Sequence, residues 1–177
     1  MNPALPPASP LTATKTTVPA GQFGVVRSTG YGDPPDSVLA LKVGVVHRGQ
    51  PGELKDVSSL TGGTEAIQTA APYYVNVHYA VLQGDPGDSP VRGIGAEDSR
   101  RGQGAIVLRL NADSDLKRCS EPGTATDQDP PLRSEQVDCV VMVFEDPEAE
   151  PDQVTFVDDN GVPTGAKSRR FTIGAIS

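Results

Sequence analysis

The chain has 177 residues, of which 19 are glycine and 17 are proline, about a fifth of the sequence against an ordinary background of roughly 12%. Inside a helix each proline costs about 3 kcal/mol and each glycine about 1 kcal/mol, which excludes a mostly helical protein; the length fits one domain. Fifteen basic and 23 acidic side chains leave a net charge of −8, which excludes the strongly basic balance typical of nucleic-acid binders.

Residues 1–20, MNPALPPASPLTATKTTVPA, combine Pro, Ala, Ser and Thr with few large apolar side chains. Such a segment buries too little surface to offset its ordering entropy, so it is expected to be an extended, flexible tether leading into a domain over 21–177. It lacks the charged start and apolar core of a signal peptide, and Met1 followed by prolines reads as a segment of a longer precursor.

Short runs rich in Val, Ile, Tyr and Phe follow, which is the strand signal. Residues 23–26 make a brief strand. Residues 37–47 alternate, with Leu39, Leu41, Val43 and Val45 on the face expected to point inward. A helical turn or two is expected over 53–60, ended by Gly62 and Gly63. Residues 72–82 alternate again, placing Tyr73, Val75, Val77, Tyr79 and Val81 on one face. Tyr74, Asn76, His78 and Ala80 fall on the other, where Tyr74 is the best aromatic for an exposed contact.

Residues 91–96 form a weaker strand, and 104–110, 137–144, 153–157 and 170–173 complete the set. Between them, 120–135 and the acidic stretch 145–152 (EDPEAEPD) read as loops. Many short strands, turn signals and no sustained 3.6-residue periodicity point to an all-β fold. The expected architecture is an immunoglobulin-like antiparallel β-sandwich of seven or eight strands. The longest apolar run, residues 139–144, is far short of the roughly 20 residues of a membrane-spanning helix.

Motifs with chemical meaning are few. Asn111, Asp113 and Asp115 are spaced like the first half of an EF-hand loop, but Leu116 stands where that loop requires glycine and Pro122 where it requires glutamate. These three residues are weak metal candidates. The stretch GVPTGAKS at 161–168 fails as a P-loop, having three residues between its glycines and Ala166 before Lys167. No nucleophile elbow is present, and the two histidines, His47 and His78, are expected on the surface. The sequence therefore points to no enzyme and no cofactor.

The two cysteines, Cys119 and Cys139, lack zinc or redox spacing and are read either as buried thiols or as a disulfide. The segment APYYVNVHYAVLQGD, with LALKVGVVHRGQPGEL before it and CVVMVFEDPEAEPDQVTF after it, resembles small secreted proteins and lipoproteins of actinobacteria with immunoglobulin-like sandwiches. That resemblance implies a Cys119–Cys139 disulfide and export to the cell envelope. Loops on a stable sandwich suit binding, so the expected role is a non-enzymatic module with a protein or envelope partner, a small ligand or calcium in the acidic loops being the alternative. Membrane attachment would run only through an N-terminal lipid anchor, whose cysteine is not in this chain.

Overall fold

The computed structural model describes residues 4–13, 16–28, 37–55, 57, 64–84, 93–108, 132–157 and 168–177. Their strands are β1 (Thr17–Val18), β2 (Gly24–Ser28), β3 (Ser37–Arg48), β4 (Tyr73–Gln83), β5 (Ile94–Asp98), β6 (Gln103–Gly104), β7 (Ile106–Leu108), β8 (Gln136–Val143), β9 (Gln153–Val157) and β10 (Ser168–Thr172), with a single short helix α1 (Glu65–Thr69). Two five-stranded sheets result, ordered β2-β3-β4-β8-β7 and β1-β10-β9-β5-β6. The pairs are antiparallel except β1 with β10. The chain is an all-β sandwich.

The alternation of β3 and β4 builds the core. Leu39, Leu41, Val43, Tyr73, Val75, Val77, Tyr79 and Val81 meet Ile94, Ala96, Val154, Phe156 and Phe171 of the facing sheet. Each such side chain removed from water contributes roughly 1.5–3 kcal/mol. Strict alternation puts Val45 in this set, but it is 47% exposed, while Val46 is fully buried. The β3–β4 register shifts between Val43 and Val46. A bulge at Gly44 and Val45 adds one residue to β3 and flips the side chains that follow.

The opposite face of the β3–β4 sheet is covered as well, at two places. Leu54, from the turns at 51–55, and Ile67, from α1, pack on Tyr74, Leu108, Val141 and Val143. Leu5, Ala8, Leu11 and Phe23 pack on Val25, Ala40, Ala80 and Leu82. Residues 1–20 are thus not a free tether in their described part. Thr12 exchanges hydrogen bonds with Val25, its amide donating to the carbonyl and its hydroxyl accepting from the amide, both at 2.8 Å. Arg169 Nε donates to the Thr12 carbonyl at 2.7 Å, and Val18 enters the main core. Composition concealed this, because a few apolar side chains suffice when two finished sheets provide the surface.

The helix also differs from expectation. Residues 51–55 form turns, while 56 and 58–60 of the helix expected over 53–60 lie outside the described residues; α1 falls beyond that stretch, at Glu65–Thr69. With five residues it is too short to carry periodicity, and its place is set by Ile67 packing on Tyr74.

Candidate functional site

Two polar assemblies stand out from the apolar framework. The first lies on the outer face of the β3–β4 sheet. Lys42 and His78 are cross-strand partners, and Glu135, just before β8, reaches both. Its Oε1 accepts from Lys42 Nζ at 3.0 Å and lies 2.8 Å from His78 Nδ1. Lys42 is nearly buried, with its ammonium 4.6 Å from the Phe23 ring centre. Burial pushes the Glu135 carboxyl up, but hydrogen bonds and charge from Lys42 and His78 outweigh it and hold the group below its usual value. The cluster joins two strands to the entry of β8.

The second assembly lies at the sandwich end where β4 begins and β8 ends. The β5–β6 turn is closed by the Arg101 amide donating to the Asp98 carbonyl at 3.2 Å, and Gly102, at φ 64°, supplies the left-handed residue this turn requires. The fully buried Asp98 carboxylate accepts from the amides of Arg100 (3.1 Å), Arg101 (3.3 Å) and Glu150 (3.1 Å). Burial opposes its ionisation, yet these amides and the Arg100 guanidinium hold its pKa below the usual value. Asp98 therefore fixes the 145–152 loop to the sandwich.

That loop is tied down along its length. Arg101 pairs with Asp146 at 3.4 Å and Glu148 at 3.0 Å, and Arg48 pairs with Glu150 at 2.9 Å. Asp152 accepts from the Ser99 amide at 3.0 Å and from its hydroxyl. Beside the loop is a depression about the size of one water, lined by Arg48, Ala71, Asp146 and Pro147 and backed by Tyr73 and Phe144, both buried in the core. Tyr73 and Phe144 meet edge to face at 5.9 Å. The Arg48 guanidinium lies 5.7 Å from the Tyr73 ring centre. Burial pushes the Tyr73 phenol up, with Arg48 pulling the other way, and its hydroxyl donates to the Ala149 carbonyl at 3.3 Å.

The residues singled out by sequence fall unevenly. Asn111, Asp113, Asp115 and Cys119 lie outside the described residues. Cys139 is half-buried against the α1 cluster, and no free cysteine occurs among the described residues. Among those residues no group of three or more His, Cys, Asp or Glu is gathered for a metal ion. In the acidic loop Asp146, Glu148, Glu150 and Asp152 are engaged with arginines and Ser99.

Tyr74 is not exposed. It is fully buried under α1, its hydroxyl donating to Glu53 Oε1 at 3.0 Å. His47 bonds to the Ser177 hydroxyl, but neither residue lines the depression. Sequence reasoning passed over Tyr73, Arg48, Arg101 and Phe144 as site residues, since their meeting depends on β5, β8 and the 145–152 loop converging. The only signal was the dense mixture of acids and prolines after a strand.

No family model and no curated protein matches the sequence. Among solved structures, the chain is similar to a secreted protein from Mycobacterium tuberculosis, MPT63, with a TM-score of 0.53 and 16% identity; the alignment covers 91% of this chain and 99% of that one. At this identity the likeness shows the fold alone, an all-β sandwich.

Proposed function

We propose that this chain is a non-enzymatic binding module, exported to the bacterial cell envelope, whose partner is a protein contacting the β4-start, β8-end face of the sandwich. The observation that carries the reading is the set of half-exposed ion pairs, Arg48 with Glu150 and Arg101 with Asp146 and Glu148, held in place around the exposed Pro147. Arginine is enriched at protein interfaces, and here two half-exposed arginines are held on one end of the sandwich. A scaffold that anchors its loop through a buried Asp98 presents that surface with little ordering cost on binding.

The likeness to a secreted mycobacterial protein supports export and an actinobacterial origin. Within the all-β class we read the sandwich as immunoglobulin-like. An oxidising compartment fits a Cys119–Cys139 disulfide, which would stabilise the fold by about 3 kcal/mol through its loop of about 20 residues. Intact mass after alkylation, with and without prior reduction, tests the pairing. Labelling of either thiol without reductant would refute it.

The binding reading is tested by cross-linking capture from envelope extracts, using immobilised wild type and Ala71→Arg. Ala71 is only partly buried at the depression, so a long cation there covers the depression without entering the core. The expected result is a partner captured by wild type and lost with the variant, at equal thermal stability. Capture that ignores the substitution, or no capture by wild type, overturns the reading.

A further inference from the structure

The outer face of the β2–β3–β4 sheet already holds a ligand, supplied by the chain itself. Val25, Ala40, Ala80 and Leu82 form an apolar patch there, and Leu5, Ala8 and Leu11 pack on it beside Phe23. Contact thus recurs at every third residue of 4–13, LPPASPLTAT. Residues 4, 7, 9, 10 and 13 are exposed, and Leu5, Ala8 and Leu11 are only half-buried, whereas the patch beneath them is buried. Residues 4–11 make no hydrogen bond to another described residue. Backbone anchoring begins at Thr12, through Val25 and Arg169.

Such a segment belongs to the low-stability end of a molecule, where few apolar contacts and a solvated backbone let it open while the rest stays folded. Its opening uncovers the patch without breaking the sheet, since β3 keeps β2 on one side and β4 on the other. Exposing the patch to water is unfavourable, so it takes either its own segment or a substitute of like chemistry. Pro6, Pro7 and Pro10 lie between the contacting residues and fix φ, so a chain of this type loses little freedom on docking. Proline-rich segments are recognised on aromatic-lined apolar surfaces for that reason, and Phe23 supplies an aromatic ring here. Residues 4–13 carry no charged side chain, so the contact needs no ion pair.

We infer that this patch is a second binding site, for an extended proline-rich segment of a partner polypeptide with an apolar side chain at every third position, and that residues 4–13 occupy it as a displaceable strap. The patch uses the end of β4, at Ala80 and Leu82, whereas the Arg48 and Arg101 ion pairs lie at the end where β4 begins. The two sites are therefore independent. The strap sets the affinity a partner meets, because only molecules with an open strap are competent to bind. A strap docked in about 90–99% of molecules weakens binding about 10- to 100-fold.

A fluorescent peptide of residues 4–13, titrated by anisotropy against the whole chain, tests this. Leu5→Asp with Leu11→Asp undocks the strap and leaves the patch intact. That double variant should bind the peptide, wild type about 10- to 100-fold more weakly, and a peptide carrying the same two substitutions should bind neither. Added salt should leave the affinities unchanged, because no exposed ion pair is made. A folded variant that ignores the peptide overturns the inference, as does equal affinity in wild type and variant, or equal binding of the two peptides. Should the variant fail to fold, hydrogen exchange of wild type decides. The Thr12 amide, bonded to the Val25 carbonyl, should exchange faster than the amides of β4, and faster still once excess peptide holds the strap open. Thr12 exchange as slow as that of β4, or indifferent to the peptide, overturns the inference. Envelope capture that is still lost with Ala71→Arg would leave the first binding reading standing.

Discussion

Gly44 on β3 lies directly against His78 on β4: a Cβ at position 44 would stand 2.7 Å from His78 Nε2 and 3.2 Å from the Asn76 carbonyl. The imidazole cannot swing aside freely, because its Nδ1 is held 2.8 Å from Glu135. Glycine in the bulge is therefore what allows the Lys42–His78–Glu135 cluster to form. Gly44→Ala should destabilise the fold by about 1–2 kcal/mol, the usual cost of forcing extra atoms into a packed site. His78→Ala should absorb most of that loss when combined with it, a coupling measurable in a double-mutant cycle by urea unfolding. Additive effects would show that the ring is not the obstacle.

Glu135 sets an acid limit on stability. Its folded pKa lies below the ordinary value of 4.5 because Lys42 and His78 outweigh the effect of burial. A depressed carboxyl stabilises the native state fully above that ordinary value, and the contribution is lost as pH falls through the folded one. Glu135→Gln should cost about 2 kcal/mol near neutrality, the scale of hydrogen bonds to charged groups. Asp98, also depressed, weakens wild type and variant alike in acid. The gap between their urea midpoints should therefore be constant from pH 7 down to about 5 and shrink below 4.5. A gap that persists into stronger acid would assign the effect to packing.

Much of this framework was legible in the sequence, and the exceptions share a cause. Strict alternation in 72–82 identifies the inward set of β4 from Tyr73 to Val81, because side-chain period alone decides it. Val45 is misplaced because a bulge leaves no mark in the run V-G-V-V beyond its glycine. Tyr74 and Asn76 look solvent-facing since their own strand offers no reason to bury them. The reason is Leu54 and Ile67, which cover Tyr74 from elsewhere in the chain. The same holds for the depression, whose lining comes from the ends of β3 and β4, the residues after β8 and the residues after α1. Local pattern encodes which face of a strand is buried first, and long-range contacts decide what covers the other.

Asn76 is the clearest unresolved polar group. It is 1% exposed, paired across β4–β8 with Cys139, and neither side-chain amide atom has a hydrogen-bond partner among the described residues. A buried polar group left unpaired costs about 1–3 kcal/mol. Asn76→Leu, of similar size, should therefore stabilise the protein by about 1 kcal/mol, read as a rise of about 3 °C in Tm. A lower Tm would mean that the amide serves the fold in a way these contacts do not reveal.

At the alkaline end, Tyr79 controls the limit. Burial pushes its phenol up to about 12, and the Asp138 carboxylate adds to the rise. A raised phenol stabilises the native state fully below its unfolded value of 10.0, and that contribution is lost as pH climbs through the folded one. The loss should reach about 2 kcal/mol, allowing for screening by solvent. Absorbance near 295 nm, followed against pH, should show Tyr73 and Tyr79 ionising late, since both phenols are raised. Asp138→Asn removes the neighbouring negative charge, so the Tyr79 step should move to lower pH while that of Tyr73 stays in place. Movement of both steps together would signal general loosening of the core, and movement of neither would remove Asp138 as a cause.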